Sequence, residues 1–328
     1  MPWRTRPFDH FQSGARLYLS VLFAVSCAPE VYAQFLVPDQ QYRCSPDESA
    51  CRNAHKPSAF ELGMSDYNHH PYTINYVEFK DNGQYWDHQE MDDALQQLKA
   101  AEDDGRQAPL IVVYVHGWQN NASETSGDVV KFRGLMSRLA DDYPVGLQGA
   151  APPVLGIYIA WRGLTFTVEP FKHIVSYWPR RQVAKKIGQA EIHDAVCEVE
   201  NADAVRQNRS HTFLILAGHS FGARVLENAI EMKDPSGRCK TMQQYFEQMH
   251  AAELATTQGH ALSPENAIHP FALPNLPADL IIYVNAATSS AKTLRRVAQI
   301  RQDCPVASTG WICSADPLYI AFTRMSHP

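Results

Sequence analysis

The chain has 328 residues, 45% of them hydrophobic, enough for one large α/β domain or two small ones. Its net charge is −6, from 29 basic and 35 acidic residues, and no basic run stands out. That balance argues against a nucleic-acid partner.

Residues 1–33 read as a signal peptide or membrane anchor. Arg4, Arg6 and Arg16 precede the apolar stretch Leu17–Ser26, which is short for a membrane span. Val31-Tyr32-Ala33 has the small-residue pattern of a signal-peptidase site. Ala24–Cys27 loosely resembles a lipoprotein box, and lipidation at Cys27 would tether the chain to a membrane. The expected location is periplasmic or secreted, with membrane association through this segment as the variant. Beyond Cys27 there are six cysteines, an even number that suits an oxidising compartment. The pairing proposed is Cys44–Cys51, Cys197–Cys239 and Cys304–Cys313, although six cysteines allow other connectivities.

Residues 34–71 are polar and rich in proline, and are expected to be an irregular lead-in. Tyr72–Phe79 alternates as a strand does, and Asp81-Asn82-Gly83 is a tight-turn signal. Gln84–Trp86 would return as the second strand of a hairpin. Met91–Leu98 has amphipathic helical spacing. Leu110–Val115 is a buried strand that runs into His116-Gly117-Trp118. Val129–Leu139 is the next helix and Val154–Ala160 the next strand, ending at Trp161-Arg162. Residues 164–209, aromatic and then basic, are long for one crossover; they are either a lid insertion or a helix with a decorated loop. After His211–Ala217, a further buried strand, and the helix that follows it, Ala278–Val284 and Leu318–Phe322 read as the last two strands. No spacing suits a metal ion, and no cofactor is expected.

The chemistry centres on Gly218-His219-Ser220-Phe221-Gly222. A continuous apolar run precedes it. Val225, Leu226, Ala229 and Ile230 form one helical stripe after it. A G-x-S-x-G at a strand-to-helix turn is a nucleophile elbow, in which a strained backbone exposes the serine hydroxyl. Gly218 and Gly222 lack the Cβ atoms that would collide where strand and helix cross.

Gly218–Ala223 resembles the lipase and esterase elbow of the α/β-hydrolases, and the resemblance covers most of the chain from about Tyr72. In particular the chain resembles bacterial exported α/β-hydrolases of undefined substrate. The resemblance implies a mostly parallel central sheet with helices on both faces, starting with an antiparallel hairpin. It implies that Ser220 is the nucleophile and that the backbone N–H groups of Trp118 and Phe221 form the oxyanion hole. His116, Gly117, Gly218 and Gly222 support that motif. The substrate would be a small-molecule or lipid-like ester, or a similar acyl compound.

The family order is serine, then acid, then histidine. Here residues 323–328 contain no Asp or Glu, and His327 is the one histidine after the final strand. Asp303 and Asp316 are weak substitutes for the acid. His219, beside Ser220, is expected to point away from it. Three readings stand: a hydrolase shortened at the sheet's last strand, a non-catalytic envelope binding protein on a hydrolase scaffold, or reduced chemistry with His327 as base. The expectation is a serine hydrolase by family, with the activity of this chain in doubt.

Overall fold

The structure, a computed structural model, describes residues 36–45, 56–103, 109–142, 153–165, 172–202, 212–231, 278–287, 306–307, 310–311 and 319–322. Seven strands form one sheet: β1 (Phe60–Met64), β2 (Pro71–Phe79), β3 (Leu110–Val115), β4 (Val154–Trp161), β5 (Phe213–His219), β6 (Leu280–Val284) and β9 (Tyr319–Phe322). Their order is β1-β2-β4-β3-β5-β6-β9. Only the β1–β2 pair is antiparallel; every other pair in this sheet is parallel. The short strands β7 (Val306–Ala307) and β8 (Gly310–Trp311) pair separately.

Helices α1 (Gln89–Asp103), α2 (Gly127–Asp142), α3 (Lys172–Gly188), α4 (Glu191–Asn201) and α5 (Phe221–Glu231) cover both faces. The continuous apolar runs of β3 and β4 follow from this, since a strand covered twice needs apolar side chains on both sides. Ile111, Val113 and Val115 of β3 join Leu155, Ile157 and Ile159 of β4 in one core cluster. Met91, Leu98, Ala184, Ile187, Ile192 and Leu226 bring α1, α3, α4 and α5 into that cluster. The alternate residues Leu110, Val112, Val154 and Tyr158 pack with Val129, Phe132 and Met136 of α2 on the other face. The mixed, mostly parallel α/β architecture is therefore as expected.

Two features differ from the sequence expectation. The antiparallel partner of β2 is β1, inside the segment read as irregular. The turn at Asp81–Gly83 does form, with Gly83 N–H donating to the Lys80 carbonyl and Gly83 at φ +90°. However, it leads only to a single Phe79–Tyr85 bridge, not to a second strand. Residues 84–86 are too few to continue a ladder before α1 begins. The described part of 164–209, expected as either a lid insertion or a crossover helix with a decorated loop, forms α3 and α4. Ala184, Ile187, Ile192, Ala195, Val196 and Val199 are buried in the main core.

The stretch 36–45 is pinned rather than loose. Tyr42 and Arg43 donate their backbone N–H groups to the Glu78 carboxylate. The fully buried Arg43 lies 3.4 Å over the Tyr76 ring and pairs with Glu61 at 2.7 Å. Cys44 and Cys197 are both buried; the cysteines proposed to pair with them lie outside the described residues. No helix among the described residues is long and apolar enough to cross a membrane.

Candidate active site

β5 ends at His219 and α5 begins at Phe221, so Ser220 is the single residue that turns strand into helix. Its φ is +54°, a left-handed conformation that costs a non-glycine residue free energy and persists only when the surroundings impose it. Those surroundings are visible. Ser220 N–H donates to the Val284 carbonyl at 2.8 Å, and the Ser220 carbonyl accepts from Ala287 N–H at 3.0 Å. The end of β6 thus clasps the serine backbone on both sides.

The glycines explain why the turn can be so tight. A Cβ on Gly218 would fall 2.6 Å from Ala223 Cα, and one on Gly222 would fall 2.0 Å from the Val115 carbonyl oxygen. α5 therefore crosses β3 and β5 at backbone contact. Gly117, at the end of β3, closes the third side. A Cβ there would lie 3.0 Å from Ser220 Cβ and 2.8 Å from the His219 carbonyl oxygen. The loop after β3 is thus placed directly against the serine, because β3 and β5 are paired neighbours with Val115 opposite Gly218.

Trp118 and Phe221 follow Gly117 and Ser220 in the chain. Phe221 opens α5, so its N–H is one of the first-turn donors that have no carbonyl within the helix. The two side chains meet over the site, with ring centroids 6.4 Å apart. Tyr177 of α3 joins them, edge-on to Trp118 at 5.7 Å and tilted on Phe221 at 5.1 Å. Of the insertion's described residues, this one reaches the elbow.

His116 is fully buried, and its role is structural. Its Nε2 accepts the Trp161 backbone N–H at 2.9 Å, so the ring proton belongs on Nδ1, 2.8 Å from the Gly117 carbonyl oxygen. Burial lowers its pKa and keeps it neutral. Trp161 stacks on it at 5.7 Å and donates its indole N–H to the His116 carbonyl. Trp161 is thus a packing residue, and Arg162 beside it pairs with Asp81, which also holds Arg180 at 2.6 Å. Gln119 N–H donates to the Gly163 carbonyl, and Gly163 N–H to the Asn120 carbonyl. The loops after β2, β3 and β4 are tied into one rim. Gln119 and Asn285, at φ +68° and +47°, share the left-handed backbone of Ser220 along it.

His219 approaches a carboxylate on another element. Its Nδ1 lies 4.0 Å from Oδ1 of the buried Asp128, whose other oxygen accepts the Tyr114 hydroxyl at 2.8 Å. The His219–Asp128–Tyr114 cluster draws on β5, α2 and β3, and no short-range sequence pattern announces it. Tyr177 was likewise legible only as part of an aromatic stretch.

Ser220, Gly117, Trp118, Phe221, His116, Gly218 and Gly222 all converge at one edge of the sheet. His327, Asp303 and Asp316 lie outside the described residues. Among the described residues no cluster of His, Cys, Asp or Glu could hold a metal ion. No family model matches the chain, and no curated protein or solved structure matches it.

Proposed function

We propose that the chain is a serine hydrolase of the α/β-hydrolase type, acting through Ser220 on an ester or similar acyl substrate. The observation that carries this reading is the left-handed backbone of Ser220 at a strand-to-helix turn. A chance G-x-S-x-G has no reason to hold that strain, whereas a nucleophile that must stand clear of its neighbours does. The abutment of Gly117 on Ser220 adds a second loop where an oxyanion donor is needed.

In this chemistry Ser220 Oγ forms a bond to the carbonyl carbon. Negative charge develops on the carbonyl oxygen and is met by the N–H groups of Trp118 and Phe221. Loss of one such donor typically raises a barrier by about 3–4 kcal/mol. The bond to the leaving alkoxide then breaks, the alcohol departs with the serine proton, and water splits the acyl-serine. A weak nucleophile such as serine needs a base to move that proton, and His327 is the residue proposed for it.

Labelling with an uncharged alkyl fluorophosphonate tests the assignment. Ser220 is expected to carry the label, and Ser220→Ala to abolish it while keeping the far-UV spectrum of the parent. Labelling that survives Ser220→Ala would sink the assignment. A folded protein that is never labelled favours the binding-protein reading instead.

A further inference from the structure

Two histidines flank Gly117, and they are held in opposite ways. His116 is wholly buried and has a partner for each ring nitrogen, the Trp161 N–H and the Gly117 carbonyl. His219, at the end of β5, keeps 34% of its side chain exposed, yet its Nδ1 is buried without a hydrogen-bond partner. A buried polar atom left in that state costs free energy, and its surroundings must account for it.

Two neighbours do so. On one side, Nδ1 lies 4.0 Å from Oδ1 of Asp128, too far for a hydrogen bond but well within electrostatic reach. Asp128 is buried in the first turn of α2, where the helix dipole favours negative charge. Its Oδ2 is taken by the Tyr114 hydroxyl at 2.8 Å, so Oδ1 is the oxygen turned to His219. On the other side is the loop after β3. A Cβ on Gly117 would fall 2.7 Å from His219 Nδ1 and 3.0 Å from Ser220 Cβ. The imidazole and the serine side chain therefore abut the same point of that loop, one residue before Trp118. A neutral imidazole carries its proton on one nitrogen only. With the proton on Nδ1, an N–H dipole faces the carboxylate; with it on Nε2, a lone pair would face negative charge. Asp128 thus selects the Nδ1–H tautomer and holds the ring in that orientation.

We infer that His219 is a positioning residue: oriented by Asp128, its ring braces the Gly117–Trp118 loop against Ser220. Its consequence for catalysis rests on the reading of Ser220 as nucleophile. The ring touches neither the reacting atoms nor the substrate. It sets where the Trp118 N–H points, and an oxyanion donor loses effect when it is displaced by a fraction of an ångström.

The test has one arm that needs no nucleophile and one that does. Nitrogen-15 spectra of the full chain at pH 8 are expected to show His219 as the Nδ1–H tautomer, its signals identified by their loss in His219→Ala. Asp128→Asn should shift the amide resonances of Gly117 and Trp118, and should leave them in place when made in the His219→Ala background. The Nε2–H tautomer in the parent, or amide shifts that persist without the imidazole, would overturn the brace. In the second arm, the alkyl fluorophosphonate is titrated against each variant. His219→Ala is expected to lower the maximal rate of Ser220 labelling about tenfold, with the half-saturating probe concentration little changed. Asp128→Asn should act in the same way, and the double variant should be no slower than His219→Ala alone, because Asp128 works through the ring. Additive losses, or a half-saturating concentration that rises at constant maximal rate, would also overturn the inference. If the spectra follow the expected pattern but Ser220 is never labelled, the nucleophile reading fails alone. If Ser220 is labelled at rates indifferent to both substitutions, the brace fails alone.

Discussion

At the scale of single residues, the strain at Ser220 makes a stability prediction independent of activity. At φ +54° a side chain is disfavoured and glycine is not. Ser220→Gly is therefore expected to be more stable than Ser220→Ala by about 1 kcal/mol, read as a difference in urea midpoints. Equal midpoints would mean that the left-handed turn relaxes in solution. The elbow was legible in the sequence because its signals are local: two glycines, a serine and flanking apolar runs. The His219–Asp128 contact was not, because 4.0 Å between Nδ1 and Oδ1 exists only once β5 and α2 are assembled. Nor does the chain around Arg43 announce its burial; its partners come from two other stretches, Ser58 with Glu61 and Ala122.

At the scale of elements, α3 contributes one ring to the chemistry. Tyr177 touches both residues whose backbone N–H groups are the proposed oxyanion donors. Removing the ring should let those two loops drift apart while leaving the substrate-binding surface largely in place. Tyr177→Ala is expected to lower kcat on a neutral ester about tenfold with KM little changed, since donors misplaced by a fraction of an ångström stabilise the transition state less. Tyr177→Phe should keep the parent kcat. A rise in KM at constant kcat would mark Tyr177 as a substrate contact instead. The strands that sequence reading placed well, β3, β4 and β5, are the doubly covered ones, where apolar runs are unbroken. β1 escaped for the opposite reason. It is an edge strand whose Leu62 and Met64 are 68% and 53% exposed, and its Gly63 sits against the Tyr72 ring. Its apolar residues face solvent, so the usual pattern is inverted.

At the scale of the whole molecule, residues 36–45 are held by a carboxylate that titrates in the neutral range. Burial raises Glu78 to about 7, and burial with the Glu78 charge pushes Glu90 up as well. Both carboxyls are easier to ionise in the unfolded chain. Their contribution to stability is therefore complete below the ordinary carboxylate range and is lost as the pH rises toward 7. Burial also raises Asp81, but Arg180 and Arg162 more than offset it and hold it low, so its stabilisation is lost only on stronger acidification. Urea midpoints are expected to decline between pH 5 and pH 8 in the parent, and to decline less in Glu78→Gln. An unchanged slope would show that Glu78 is already ionised at pH 5. The strand order has a kinetic corollary. Val115 meets Gly218 across the sheet, and the site exists only where those two ends touch. About a hundred residues of chain must be synthesised and looped out between the two loops proposed to form the oxyanion hole, and closing such a loop places assembly among the slow events of folding. On a ribosome, the first half would emerge with β3 lacking its β5 neighbour and one apolar edge bare. A chaperone, rather than the rest of the chain, is the natural first occupant of that edge.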